Sequence, residues 1–114
     1  MAKQLIQQTC EACSAGAPTL SEQELADALT QLPEWRVVKT GSISLLEKAF
    51  SFSNFIEAVH FANAVAKIAE EVNHHPTLVV EWGRVKVQWW THKIGGIHRN
   101  DAIMAAKTDR LFSN

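Results

Sequence analysis

Between Glu70 and His92 the chain presents a helix end, a proline and two extended runs separated by a glycine, and few folds accept that order. Glu70-Glu71-Val72 closes an amphipathic helical pattern. Pro76 forbids its continuation, because the ring offers no N–H and pushes His75 out of the helical region. Leu78-Val79-Val80-Glu81-Trp82 then reads as an apolar strand, and Val85-Lys86-Val87-Gln88-Trp89 as an alternating one. Gly83-Arg84 between them predicts a hairpin with a two-residue turn and glycine at its first central position. With Trp82 facing Val85, Thr77 faces Trp90 and His75 faces His92. Asn73-His74-His75-Pro76 and Thr91-His92 therefore meet at one end of the hairpin, and three of the chain's five histidines come together there.

Imidazole, with an ordinary pKa of about 6.5, gives and accepts protons near neutrality. A single histidine beside a helix end is usually a cap or a solvated residue. Three converging on one pocket suit a reaction that needs an acid and a base together. Zinc is the competing use, since its catalytic sites take three protein ligands plus water. Adjacent His74 and His75 lack the i, i+4 spacing that aims two imidazoles of one helix at one metal, so no metal is expected.

Elsewhere, Ser21-Glu22-Gln23-Glu24 forms a capping box ahead of an apolar stripe at Leu25, Ala28, Leu29 and Leu32, and Pro33 stops that helix. Trp35-Arg36-Val37-Val38 reads as a short strand, Thr40-Gly41 as a turn and residues 43–52 as a second strand. Its broken alternation at Leu45-Leu46 and Ala49-Phe50 predicts a bulge or a bend. Ser53 or Asn54 opens the main helix, whose apolar residues from Phe55 to Val72 cover about 180° of the wheel, where about 100° suffices to cover a sheet. The excess fits a helix pressed on a sheet and also on a neighbouring helix, or one at a subunit interface; in so short a chain the interface is the favoured reading, hence a homodimer or homotetramer. His60, among Asn63 and Lys67, reads as a surface residue. After Gly95-Gly96, His98 stands where a Ser or Thr cap is expected, and Asp101 takes the third position of a last helix. A carboxylate there is favourable with the helix N-terminus, so Asp101 reads either as a plain cap or as the orienting partner of an imidazole. The order α-β-β-α-β-β-α predicts an α+β fold of two layers, a four-stranded antiparallel sheet with helices on one face.

Residues 1–18 lack apolar periodicity and read as an N-terminal arm, leaving 19–114 as a single domain. The arm carries Cys10 and Cys13 in a C-x-x-C that has no second pair to complete a zinc site and no strand before it; it reads as a reduced pair, the alternatives being a redox pair or a metal half-site shared between subunits. A formal net charge of −1 without basic runs argues against a nucleic-acid partner. No apolar stretch of spanning length and no leader pattern are present, so a cytoplasmic protein with no membrane partner is expected.

Glu70-x-x-x-His74-His75-Pro76, Trp82, Thr91-His92, Gly95-Gly96 and Asp101 together resemble the signature of the pterin-4a-carbinolamine dehydratases. The resemblance runs from about Leu20 to Phe112 and includes Pro33-x-Trp35 and Phe50-x-Phe52. It implies a hydro-lyase, a 4a-hydroxytetrahydrobiopterin dehydratase, which converts 4a-hydroxytetrahydropterin to quinonoid dihydropterin and water and so recycles the cofactor of an aromatic amino acid hydroxylase. Pterin is then the substrate, and no cofactor is needed. The arm with Cys10-Glu11-Ala12-Cys13 is similar to that of bacterial members associated with phenylalanine hydroxylation, which implies a link to phenylalanine hydroxylase. Carried over by position, His74, His75 and His92 match the family's catalytic histidines. His74 and His92 are the acid/base pair, His75 chiefly orients the pterin, and Glu70 and Asp101 are supporting acids. Trp82 fits the aromatic position, although hairpin core is its plainer reading. His98 departs from the usual small hydroxyl cap, and Asn73 and Thr77-Leu78 stand where acidic or aromatic residues are common in relatives. Animal members also act as dimerisation cofactors of a homeodomain transcription factor through the long helix, so the alternative is a binding module without essential catalysis.

Overall fold

The computed structural model describes residues 5–7 and 19–113; Cys10 and Cys13 lie outside them. Helix α1 spans Glu22–Leu29, strand β1 Arg36–Thr40, β2 Ile43–Ser51, helix α2 Phe55–Val72, strand β3 Thr77–Glu81, β4 Arg84–Trp89 and helix α3 Arg99–Ser113. The strands form one antiparallel sheet in the order β1-β2-β4-β3, and the expected α+β order holds.

Local signals place the helix starts. Ser21 Oγ accepts the Glu24 N–H at 3.1 Å while Glu24 Oε1 accepts the Ser21 N–H at 2.9 Å, the reciprocal box read in the sequence. The regular part of α1 ends at Leu29, short of Pro33. From there i+3 bonds reaching Leu32 tighten the chain. Asn54 caps α2 by accepting the Glu57 N–H at 2.8 Å.

Helix α2 lies over β3 and β4, and α3 over β2 and β4. Leu46, Phe50, Val85, Val87 and Trp89 of the sheet meet Phe61 and Val65 of α2 and Ile103 and Met104 of α3 in one core. Phe61 and Val65, part of the apolar arc that suggested an interface, are thus spent on the chain's own core. The unspent apolar surface of α2 is concentrated in its first turn, where Phe55 and Ile56 are 47% and 62% exposed.

No bulge interrupts β2, since its pairing with β1 and with β4 is continuous. Its alternation fails for a different reason: Leu46 faces the helices while Leu45 and Glu47, pointing the other way, are also buried. Burial works to raise the Glu47 carboxyl, yet Gln88 Nε2 at 2.7 Å and Arg36 at 3.1 Å donate to it, and together they hold it below its ordinary value of 4.5. On the helix side Lys48 reaches Asp109 at 2.9 Å, and the Trp35 indole N–H donates to the same oxygen at 3.0 Å. Part of the expected arm is docked as well. Leu5–Gln7 forms a 3-10 turn against α3, with Leu5 buried and its N–H donated to Gln31 Oε1 at 2.9 Å.

The hairpin forms with a shifted register. Its central turn residues are Trp82 and Gly83, so Glu81 pairs with Arg84 and Thr77 with Gln88 rather than with Trp90. Glycine is needed at the second central position, where φ is +71° and a Cβ would come within 3.2 Å of the Phe52 carbonyl oxygen. The shift is two residues, an even number. Every side chain therefore keeps its expected face while its cross-strand partner changes.

Candidate active site

The end of α2 prepares the first flank of the site. Asn73 adopts the left-handed conformation at φ 53° and ψ 41°, closing the helix three residues before Pro76. The Asn73 N–H returns to Glu70 and the His74 N–H to Ala69, a Schellman closure that satisfies the last carbonyls. Asparagine tolerates this conformation better than other residues with a Cβ. Beyond it the chain is extended, so successive side chains diverge: His74 is buried and His75 is about half exposed.

His74 is held on two sides. Its Nε2 lies 2.6 Å from Asp101 Oδ1, and its ring stacks on Trp89 with centroids 5.7 Å apart and planes inclined by 19°. Trp89 is itself fixed, because its indole N–H donates to Thr108 Oγ1 at 3.1 Å. Asp101 is wholly buried, and its other oxygen accepts from the Thr91 hydroxyl and from the His98 N–H, each at 2.8 Å. A carboxylate accepts only, so it places the Nε2 proton on His74. The two readings of Asp101 are therefore both realised: it caps α3 through His98 and orients His74. His98 completes the cap in an unusual way, its ring Nδ1 accepting the Asn100 N–H at 3.1 Å in place of a hydroxyl.

The second flank is open. His92 begins a 3-10 turn, Ile94 and Gly95 N–H groups bonding back to Thr91 and His92. Its exposed ring lies against Trp90 with centroids 4.3 Å apart. His75 pairs with Glu70 across the helix end at 2.6 Å, both largely exposed. Such a pair contributes under about 1 kcal/mol to stability, so it orients more than it stabilises.

Because the register is shifted, His75 does not face His92 as a strand neighbour. The two segments still converge, and the link is Asp101, which bonds His74 from one and Thr91 from the other. Trp82 is not part of this group. It sits in the turn at the opposite end of the hairpin, 73% exposed, which rules out the core reading and places it away from the histidines within the chain. Among the described residues no group of three or more His, Cys, Asp or Glu side chains is arranged to hold a metal ion. The sequence assigns no site role to Asn73, Trp89, Thr91 or the ring of His98. Two of them carry a signal all the same: Thr91 as part of the Thr91-His92 step, and Asn73 as a residue tolerant of the left-handed region just before an extended X-Pro step.

Known proteins resemble this chain in sequence and in fold. The family model described as pterin 4 alpha carbinolamine dehydratase matches residues 18–111. A Saccharophagus degradans protein named as a pterin-4-alpha-carbinolamine dehydratase is 53% identical over 95% of this chain and 96% of its own. A Marinobacter nauticus protein of the same name is 49% identical over 93% and 96%. The crystal structure of a transcriptional coactivator/pterin dehydratase from Brucella melitensis superposes with a TM-score of 0.74 at 31% identity, covering 82% of this chain and 98% of that one. A pterin dehydratase-like protein described as a RuBisCO assembly factor in the alpha-carboxysome superposes at 0.59 and 23% identity, over 71% and 92%, a likeness of fold alone.

Proposed function

Because the chain belongs to the pterin-4a-carbinolamine dehydratase family, we propose that it expels water from 4a-hydroxytetrahydropterin and so returns the cofactor of an aromatic amino acid hydroxylase to its cycle. The C4a–O bond breaks as a proton reaches the departing hydroxyl. The N5–H bond breaks as a base takes that proton, and its electron pair becomes the N5=C4a bond of the quinonoid dihydropterin. Nothing is oxidised or reduced, so imidazoles suffice, and neither metal nor organic cofactor has a part to play. His74 and His92 form the acid/base pair, His75 positions the pterin with Glu70 behind it, and Asp101 supports His74. The observation that carries this reading is the pairing of a buried carboxylate-held imidazole with an exposed one at the same hairpin end.

The test is dehydration of synthetic carbinolamine followed optically. Wild type should accelerate it, and His74→Ala and His92→Ala should each slow turnover by about 10²- to 10⁴-fold. A wild-type protein that leaves the spontaneous rate unchanged would dispose of the enzymatic reading.

A second reading has its own observation. Phe55 and Ile56 stand exposed in the first turn of α2, which suits self-association or a binding-module role such as that of the Brucella melitensis transcriptional coactivator/pterin dehydratase. Light scattering with Ile56→Lys separates the two uses. A smaller assembly with undiminished turnover assigns that turn to association only.

A further inference from the structure

We infer that Thr91 is a positioning residue for the reaction, its hydroxyl holding the Asp101 carboxylate in the orientation that aligns His74. The inference rests on the dehydratase reading, which gives His74 its proton-transfer task.

Thr91 is 2% exposed and cannot meet a bound substrate. Its main chain is pinned from two sides, the N–H donating to the Gly96 carbonyl at 2.8 Å and the C=O accepting from Ile94 at 3.2 Å. Gly96 is itself closely packed, since a Cβ there would approach Thr19 Cγ2 to 3.0 Å. The hydroxyl therefore has a fixed origin and donates to Asp101 Oδ2 at 2.8 Å. The opposite oxygen receives His74 at 2.6 Å. A carboxylate turns about a soft terminal torsion, and a donor on each oxygen is what stops that rotation. The His98 N–H shares Oδ2, but it belongs to the same helix turn as Asp101 and follows any movement of α3. Thr91 belongs to the hairpin exit and also carries His92 as its next residue. Its hydroxyl is thus the strut that sets one imidazole-bearing segment against the other's support.

The experiment compares Thr91→Val, which keeps shape and removes the donor, with Thr91→Ser, which keeps the donor. A lost hydrogen bond to a buried charge corresponds to about tenfold to a hundredfold in turnover. Thr91→Val should lower kcat by that factor per folded molecule with KM within about twofold of wild type, and Thr91→Ser should restore most of it. In an Asp101→Asn background Thr91→Val should change kcat by less than about twofold, because the alignment it protects is already lost. Wild-type kcat in folded Thr91→Val, or an equal loss in both backgrounds, overturns the inference. The ring nitrogens of His74 give a readout independent of activity. Their 15N shifts should move towards a mixture of tautomers in Thr91→Val, and unchanged shifts also overturn it. If wild type shows no dehydration, the functional reading falls, while the nitrogen shifts still decide what Thr91 does.

Discussion

The two flanks of the site are built on opposite plans. On the helix side His74 is buried, bonded to a buried carboxylate and stacked on an indole that is itself anchored to α3. On the hairpin side His92 is exposed and rests on Trp90 in a short 3-10 turn. The first arrangement fixes the tautomer and the ring plane before substrate arrives, at the cost of burying a charge. The second leaves a ring free to meet water and to exchange protons with it. Under the proposed acid–base reading such unequal treatment is useful, since one imidazole then supplies alignment and the other access.

The most severe way to break this contrast is to remove both rings. His74→Ala/His92→Ala should reduce dehydration to near the spontaneous rate while circular dichroism and assembly stay as in wild type, because coupled imidazoles can otherwise cover for one another. A folded double variant with wild-type turnover would reduce both histidines to structural residues. Next in size is Asn73→Val. A β-branched residue forced into the left-handed region costs about 1–2 kcal/mol, measurable as a lower denaturant midpoint, and turnover should fall with it as His74 loses its approach. Asn73→Gly should cost nothing in stability, and a loss as large as that of valine would show that the asparagine side chain, not the backbone angle, matters there.

Smaller effects sharpen the picture at the open edge. His75→Ala should raise KM several-fold, by about 1 kcal/mol of binding, with kcat little changed, since its pairing with Glu70 is exposed and its proposed task is positioning. A fall in kcat with unaltered KM would promote His75 to a proton-transfer role. The mildest prediction concerns acid stability. The Glu47 carboxyl is held below its ordinary value, so its contribution is fully present above 4.5 and is lost as pH falls through the lowered folded value. Glu47→Gln should flatten that part of the stability curve in thermal melts run across the acid range, and an unchanged slope would remove Glu47 from the account of acid unfolding.

Much of the fold was legible because its signals are local. The Ser21–Glu24 box, the Asn54 cap and the final helix opening near Asp101 each need only a few neighbouring residues. The hairpin was legible in its faces but not in its pairing, because Gly83 can serve either central position of a two-residue turn. The candidate site divides along the same line. Its histidines stand out as residues, whereas their supports arise from contacts between distant segments. Thr91 and His74 meet on Asp101 from 10 and 27 residues away, and no local pattern records such a meeting. The docking of Leu5–Gln7 was hidden for a related reason, since three residues are too few to show a period.

The divergence of His74 and His75 has a consequence for how mutations can spread through the domain. The two imidazoles are adjacent, so a slip of one residue along the extended chain would exchange the inner ring for the outer one. That slip would carry Leu78 and Val80, which pair with Val87 and Val85, to the opposite face of the sheet and bring Val79 inward. The choice of which histidine meets Asp101 is therefore guarded by the greasy side chains of β3 that pack against the core. Insertions or deletions between Asn73 and Leu78 should be excluded even when both histidines survive them, and compensating changes should come in pairs that restore the parity of the strand.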